Sequence, residues 1–287
     1  MVSINPLKQK KTMKKYIFMA VAGMLALSSC SNDDNDMTQE KNAPRQMTFS
    51  AGYGDDATTR ATMDFSTKKV SFDANDEISI LSAKNANAQF TTSAGGASAT
   101  FTGTASDDSK FYAVYPYTAG LALSGTTITG IVIPTDQWND EWAVEATPPR
   151  EISAWDPKAP IAYATTTGSS LQFHNLCAIL KIDLPGGGSC YTLTISANEN
   201  LAGTFSLDTS TTPATLTATE GSKSITVGGG SNKISCTGKR HVYVAIAPGT
   251  YNSFRIVADS DFDWDDFERT KASAVTFEAG KIYSMGK

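Results

Sequence analysis

After residue 30 the chain consists of short apolar segments separated by turn residues, and this pattern limits the fold more than any other feature. Residues 111–115 and 128–133 are apolar segments of this kind, whereas 73–76 and 106–109 are clusters rich in Asp, Asn and Ser. A sustained 3.6-residue periodicity does not occur after residue 30. Short apolar runs between turn clusters are typical of β-strands. The sequence therefore predicts an all-β protein.

The predicted strands form two groups. They lie at 47–53, 70–72, 77–81, 89–92, 99–102, 111–115, 128–133 and 161–165 in the first group, and at 171–184, 192–196, 203–207, 214–218, 224–227, 241–247, 253–257, 274–277 and 281–284 in the second. Each group has a size that suits one β-sandwich. We therefore predict an N-terminal domain at 46–168 and a C-terminal domain at 169–287. The apolar stretch 171–184 opens the second domain and is long enough to be buried on both faces.

The N-terminal segment has the features of an export signal. Lys14 and Lys15 precede an apolar run at 16–27, which is too short to serve comfortably as a permanent membrane helix. The run ends in Leu-Ser-Ser before Cys30. This ending resembles a bacterial lipobox, and the resemblance implies removal of residues 1–29 and lipid attachment to Cys30. The alternative is an ordinary signal peptide with a chance cysteine.

Residues 30–45 are predicted to be a polar, acidic tether, because a run such as Ser-Asn-Asp-Asp-Asn-Asp cannot bury a core. Two interpretations stay open for it: a solvated linker, or a signal for transfer to the cell surface as in some outer-membrane lipoproteins. The chain has a formal net charge of −5 and a pI near 5.1. Nucleic acid is therefore excluded as a partner, since binding to phosphates needs a basic surface.

The first predicted strand has a clear period of two. Its apolar residues are Met47, Phe49, Ala51 and Tyr53, so one face is expected to be buried. A polar segment at 54–62 follows and carries one basic residue, Arg60. Such a segment is expected to be exposed and accessible to proteases.

The residues give little support for catalysis, and we predict a protein without enzymatic activity or cofactor. The chain has two histidines. His174 lies within the apolar stretch and is expected to be a hydrogen-bonded core residue, whereas His241 begins a strand and is expected at the surface. No glycine-rich phosphate loop opens a helix.

An acidic loop from Asp259 to Asp266 superficially resembles a calcium-binding loop. An EF-hand needs Gly at its sixth position and Glu at its twelfth, where this chain has Trp264 and Thr270. We therefore predict an exposed acidic loop rather than a metal site.

Three cysteines remain besides Cys30, an odd number in an oxidising compartment. Cys177 lies in an apolar strand and is expected to be a buried, unreactive thiol. A bridge between Cys190 and Cys236 stays open, although no obligatory disulfide is predicted.

Seven segments together resemble the fimbrillin (Mfa-like) family of type V pilus subunits. They lie, in an order and spacing that fit the family, at 27–30, 58–62, 111–117, 134–137, 171–180, 202–205 and 277–283. The resemblance implies two tandem transthyretin-like Greek-key β-sandwich domains. It also implies export as an outer-membrane lipoprotein and assembly into a pilus at the cell surface.

The resemblance further implies a maturation step. A trypsin-like, arginine-specific protease would cut between Arg60 and Ala61 and release the lipid together with residues 46–60. The groove left by the removed strand would then accept a strand from another pilus subunit. Arg45 is a competing cleavage site, but a cut there would leave the strand in place. The alternative is an uncut, permanently anchored protein.

Two further expectations concern the role in the pilus. Stalk subunits of the family carry a long C-terminal extension, whereas four residues, which span at most ~14 Å, follow Tyr283 here. The resemblance thus implies a tip or accessory subunit that contacts a host or bacterial surface receptor. The alternative function is a glycan-binding surface lipoprotein that is not polymerised, with Trp138, Trp142 and Trp155 as a sugar-stacking platform.

Overall fold

The computed structural model describes residues 43–54, 62–64, 69–138, 152–155, 159, 161–185, 187–228, 233–236, 240–260 and 267–285. In these ranges every regular element is a β-strand, so the predicted all-β class is confirmed. None of the described segments forms a helix that could span a bilayer. Cys30, Arg60, Ala61 and residues 261–266 of the acidic loop lie outside the described residues, and the predictions for them stay predictions.

The strands are short, as the turn spacing predicts. In chain order they are β1 (Arg45–Tyr53), β2 (Thr62–Asp64), β3 (Lys69–Ser71), β4 (Glu77–Leu81), β5 (Ala88–Thr92), β6 (Ser98–Ala105), β7 (Phe111–Tyr115), β8 (Ala122–Ser124), β9 (Thr127–Ile133), β10 (Ile152–Trp155), β11 (Ala162–Thr166), β12 (Ser170–Asn175), β13 (Ala178–Leu184), β14 (Ser189–Ser196), β15 (Ala202–Asp208), β16 (Thr215–Ser222), β17 (Ser224–Gly228), β18 (Ile234–Ser235), β19 (Arg240–Ile246), β20 (Gly249–Tyr251), β21 (Phe254–Ser260), β22 (Glu268–Lys271), β23 (Val275–Phe277) and β24 (Ile282–Met285).

Seven of these strands form a closed sheet in the order β1-β12-β11-β7-β4-β5-β6, with β6 pairing back to β1. Six of its pairs are antiparallel, and the pair of β1 with β12 is parallel. Alternate side chains of these strands point into the closed sheet and form its core, because successive residues of a strand face opposite ways. This core consists of Phe49, Ala51, Phe72, Ile78, Ile80, Phe90, Ala99, Phe101, Ala105, Phe111, Ala113, Tyr115, Ala162, Ala164, Leu171 and Phe173.

The other strands form three larger sheets and two separate two-stranded pairs. The larger sheets have the orders β10-β19-β13-β24, β17-β14-β21-β22 with β18 beside β14, and β16-β15-β9-β8, and the two-stranded pairs are β2-β3 and β20-β23. Side chains from all three larger sheets share a second core, which we call the large core. The transthyretin-like Greek-key arrangement of two tandem sandwiches stays a prediction.

Strand pairing crosses the predicted domain boundary between residues 168 and 169 in both directions. β12 follows this boundary but pairs with β1 and β11 in the closed sheet. β9 precedes the boundary but pairs with β15. The described residues belong to one compact unit, so two separately folding domains remain a prediction.

The apolar stretch 171–184 contains two strands of different sheets rather than one strand buried on both faces. In β12, Leu171 and Phe173 are buried and His174 is exposed, so the prediction of a core histidine at 174 is wrong. His241 was expected at the surface, yet its side chain is only 14% exposed and its Nδ1 lies 2.5 Å from Oδ1 of Asp183. His174 faces outward because successive residues of β12 point to opposite sides of the strand. The apolar residues next to it in the sequence led to the wrong prediction.

Candidate strand-insertion site

The position of β1 between β6 and β12 is the candidate functional site, and we call these two strand edges with the side chains that contact β1 the β1 seat. β1 pairs with β6 in eight antiparallel positions, from Arg45 opposite Ala105 to Gly52 opposite Ser98. It pairs with β12 in four parallel positions, from Ser50 opposite Ser170 to Tyr53 opposite Phe173. β1 thus satisfies backbone groups on two strand edges at once.

The structure places all four predicted strand residues on the inner face of β1. Phe49 is 0% exposed and Ala51 is 1% exposed, and Met47 and Tyr53 are partly buried against the same core. Ser50, between them in sequence, is exposed. The period of two in the sequence therefore gave the correct inner face.

Phe49 fills a site formed by aromatic rings. Its ring centroid lies 5.5 Å from that of Phe90 at an interplanar angle of 63°, and 5.2 Å from that of Phe111 at 69°. Phe101 is its direct partner on β6. Edge-to-face contacts of this kind stabilise a core beyond the area that they bury, so this position is suited to a large apolar side chain.

Tyr53 occupies a second aromatic site two residues further on. Its ring centroid lies 5.1 Å from that of Phe72 and 5.8 Å from that of Phe173. Phe72 lies outside the strands of the closed sheet, yet it is buried, and its ring also contacts Phe101 and Tyr115. Phe72 therefore packs over one end of the core, beside Tyr53.

Ala51 lies between these two aromatic positions on the inner face of β1. It is paired with Ala99 on β6 and with Leu171 on β12, and all three residues are buried. Together the inner face of β1 presents a large, a small and an aromatic side chain in succession.

Gly103 is a residue of the seat that sequence reasoning missed. It is paired with Met47 of β1 and with Phe90 of β5. A Cβ atom at this position would lie 2.6 Å from the ring of Phe90 and 2.6 Å from the backbone oxygen of Gln89. The glycine therefore leaves room for the Phe90 ring that contacts Phe49. A glycine inside an apolar strand is a sequence signal for such a close approach.

An ion pair lies at the start of β1. Nη2 of Arg45 donates a hydrogen bond of 3.0 Å to Oδ2 of Asp107, and both side chains are more than half exposed. An exposed pair of this type contributes little stability. It does, however, connect Arg45, the first residue of β1, to Asp107, which lies just after the end of β6.

Gln137 is a second residue whose role the sequence did not reveal, although it ends one of the fimbrillin-like segments. Its side chain is 1% exposed. Its Nε2 donates to the backbone oxygens of Ala245 at 2.7 Å and Pro134 at 3.1 Å, and the backbone nitrogen of Ala245 donates to its Oε1 at 2.9 Å. The amide therefore pairs with β19 in the manner of a neighbouring strand.

The described residues offer few groups for metal or thiol chemistry. They contain no cluster of three or more His, Cys, Asp or Glu side chains that could hold a metal ion. Cys177, Cys190 and Cys236 are all buried. Burial raises the pKa of the Cys177 thiol to about 12 and, with a smaller contribution from Cys236, that of the Cys190 thiol to about 12. Thiols with such a pKa are poor nucleophiles near neutral pH.

Solved structures that match the chain include a candidate cell adhesion protein from Bacteroides uniformis, with 18% identity and a TM-score of 0.48 over 83% of this chain and 91% of that protein. A candidate cell adhesion protein from Bacteroides thetaiotaomicron matches with 14% identity and a TM-score of 0.39 over 83% and 91% of the two chains. The tip fimbrial protein Mfa3 from Porphyromonas gingivalis, with a C-terminal truncation, matches with 9% identity and a TM-score of 0.33 over 79% and 81%.

No protein-family model and no curated protein matches the chain. Each of these three structures is, by its name, a fimbrial or cell adhesion protein.

Proposed function

We propose that this chain is a structural and adhesive subunit of a cell-surface pilus, exported as a lipoprotein, cut after Arg60 and assembled by strand insertion. The observation that carries the proposal is the position of β1. It completes the closed sheet, and it precedes all the other strands of that sheet in the sequence. Arg60 lies between the end of β1 at Tyr53 and the start of β2 at Thr62.

The chain connectivity makes β1 the suitable strand to exchange. Every other strand of the closed sheet is joined to neighbouring elements at both of its ends. After a cut between Arg60 and Ala61, β1 is held by hydrogen bonds and side-chain packing alone. It can then leave without any further break in the chain.

Removal of β1 would create a site that favours another strand. The edges of β6 and β12 would carry unpaired backbone groups, and such edges are templates for pairing with a further chain. The rings of Phe90, Phe111 and Phe173 would lose apolar contacts at the same time. An incoming strand with apolar residues at alternate positions satisfies both needs, as in donor-strand complementation.

The proposed cut would also release the subunit from the outer membrane. Cys30, the proposed lipid site, precedes β1, so cleavage after Arg60 separates the lipid from the folded remainder. The partners in this scheme are the outer membrane before maturation, a trypsin-like arginine-specific protease, and other pilus subunits afterwards. A host or bacterial surface receptor would be the partner of the assembled pilus.

The tryptophan platform for glycan binding gains no support from the part of the chain that the structure describes. Trp138 is partly buried and packs against the large core. Trp142 and the side chain of Trp155 lie outside the described residues.

The proposal is tested by the intact mass and N-terminal sequence of the protein recovered from the cell surface. We expect a chain that begins at Ala61, and we expect Arg60→Gln to retain an acylated Cys30. Arg45→Gln is the matched control and should mature normally. A lipidated Cys30 on every molecule of the unaltered protein would refute maturation by removal of β1.

A further inference from the structure

We infer that the β1 seat selects its occupant by one side-chain pattern: a large apolar residue, a small residue and an aromatic residue at alternate positions. The occupant is an extended segment of another polypeptide chain. This inference rests on the proposed strand insertion and adds the chemistry of the partner. The pattern is that of Phe49, Ala51 and Tyr53 in β1.

The first position requires a large apolar side chain because it is surrounded by rings. Phe90 and Phe111 lie at centroid distances of 5.5 Å and 5.2 Å from Phe49, which is fully buried. A small or polar residue there would leave a cavity or an unsatisfied polar group against these rings. The seat therefore rejects strands with a small or polar residue at this position.

The second position admits only a small side chain. Ala51 is 1% exposed, Leu171 opposite it on β12 is 0% exposed, and the rings of Phe49 and Tyr53 lie two residues away on the same face. Added methylene groups in a filled core force neighbouring side chains out of their preferred rotamers. A Leu in this position is expected to weaken binding about tenfold or more.

The third position favours an aromatic ring. The Tyr53 ring contacts those of Phe72 and Phe173, with centroids 5.1 and 5.8 Å away, and these two rings also contact each other. An aromatic side chain contacts both rings at once, and a short aliphatic side chain does not reach both.

The same pattern sets the direction and register of the inserted strand. A strand that is antiparallel to β6 and parallel to β12 matches the hydrogen-bond pattern of β1. A slip by one residue would turn the apolar side chains outward, and a slip by two would place a large residue in the second position, which an alanine fills in β1. The exposed ion pair of Arg45 with Asp107 lies at the start of β1 and contributes little to this selection.

The first part of the test uses the uncut chain and does not depend on strand exchange. Ala51→Leu is compared with Ser50→Leu, which adds the same side chain to an exposed position of β1. We expect Ala51→Leu to lower the melting temperature by at least about 3 °C relative to Ser50→Leu. Equal melting temperatures would overturn the selectivity of the second position.

The second part uses the full chain cut after Arg60 by a trypsin-like protease, with a fluorescent peptide of residues 45–53 as the probe. Peptides with Ala51→Leu or Phe49→Ser should exchange into the seat at least about tenfold more weakly than the unaltered peptide. Loss of the basic residue, as in Arg45→Gln, should weaken exchange by less than about fivefold, since the ion pair is exposed.

The outcomes separate this inference from the proposed function. Strong exchange of the unaltered and the Ala51→Leu peptides alike would overturn the side-chain pattern and leave strand insertion standing. Exchange of no peptide, together with the expected loss of stability in the uncut Ala51→Leu chain, would overturn strand insertion and, with it, the selection of a partner.

Discussion

The rings of Phe49 and Phe111 are in contact across the interior of the closed sheet, with centroids 5.2 Å apart and an interplanar angle of 69°. Phe49 belongs to β1 and Phe111 to β7, and these strands are not neighbours, because β12 and β11 lie between them on one side and β6, β5 and β4 on the other. The first strand is thus packed into the centre of the core. Removal of β1 would therefore affect β7 on the opposite side of the closed sheet as well as the neighbouring strands β6 and β12.

We therefore expect Phe49→Ala to lower the free energy of unfolding by about 3–5 kcal/mol, because it creates a cavity between the Phe90 and Phe111 rings. The measurement is chemical denaturation of the uncut chain followed by tryptophan fluorescence. Thr48→Ala is the matched control, since Thr48 lies beside Phe49 on the exposed face, and should change stability by less than about 0.5 kcal/mol. Equal effects of the two substitutions would show that Phe49 is not part of the core.

Gly103→Ala should destabilise the closed sheet although it adds a single methyl group. The new Cβ would lie 2.6 Å from the Phe90 ring and from the backbone oxygen of Gln89, so the ring or the strand must move, at a cost of about 1–3 kcal/mol. Gly120→Ala is the matched control, because nothing lies within 4 Å of a Cβ at that position. Thermal melting of both variants tests this, and a Gly103→Ala variant as stable as Gly120→Ala would contradict it.

Strand positions could be predicted well from the sequence, for a physical reason that β1 and β7 illustrate. In both strands a large, a small and an aromatic residue alternate on the inner face, as Phe49, Ala51 and Tyr53 in β1 and as Phe111, Ala113 and Tyr115 in β7. Because every second residue of such a strand is buried, the pattern is visible within a short stretch of sequence. It therefore predicted the inner face of β1. The pairing of strands depends on contacts between residues that are distant in the sequence, so no short stretch of sequence predicts it.

The separation of the stretch 171–184 into β12 and β13 illustrates what the sequence could not provide. β12 pairs with β1 and β11, and β13 pairs with β19 and β24. The change of sheet occurs at two buried apolar residues, Leu176 and Cys177. Because neither Gly nor Pro marks the change and Asn175 is followed directly by apolar residues, a continuous strand was the natural expectation, and the orientation of His174 was predicted wrongly with it.

Gln137→Ala should destabilise the large core more than an ordinary surface substitution. It would remove two hydrogen bonds to the backbone of Ala245 and one to that of Pro134, and the buried groups left unpaired cost about 1–3 kcal/mol. Denaturation in urea measures the effect, with Gln172→Ala as the matched control at an exposed glutamine of β12. Stability equal to that of the control would mean that Gln137 does not support β19.

The buried thiols should be unreactive in the folded protein. Burial raises the pKa of Cys177 and of Cys190 to about 12, so almost none of either thiol is the reactive thiolate at pH 8. We expect iodoacetamide at pH 8 to leave both residues of the 31–287 chain unmodified until urea is added, as measured by peptide mass. Rapid alkylation of Cys177 without denaturant would contradict the packing around it.

The ion pair between β21 and β22 should make stability depend on pH in the acidic range. Nε and Nη2 of Arg255 donate to the carboxylate of Glu268 at 2.8 and 3.0 Å, and Oγ1 of Thr270 donates to it at 3.0 Å. The bond from Arg255 is the main reason that the pKa of Glu268 falls to about 2. Because the folded protein binds the carboxylate in its charged form, this contribution is present above the unfolded pKa of about 4.3 and is lost as the pH falls towards 2.

Glu268→Gln removes this charge at every pH, so its melting temperature should be lower than that of the unaltered protein at pH 6 and should approach it as the pH falls from about 4.3 towards 2. Arg255→Gln should remove the same pH dependence, and the double variant should show no further loss, since both substitutions break one interaction. A difference between Glu268→Gln and the unaltered protein that is the same at pH 6 and pH 2.5 would mean that the charge of Glu268 is not the stabilising feature. In that case the side chain would hold β22 against β21 through hydrogen bonds that its neutral form also makes.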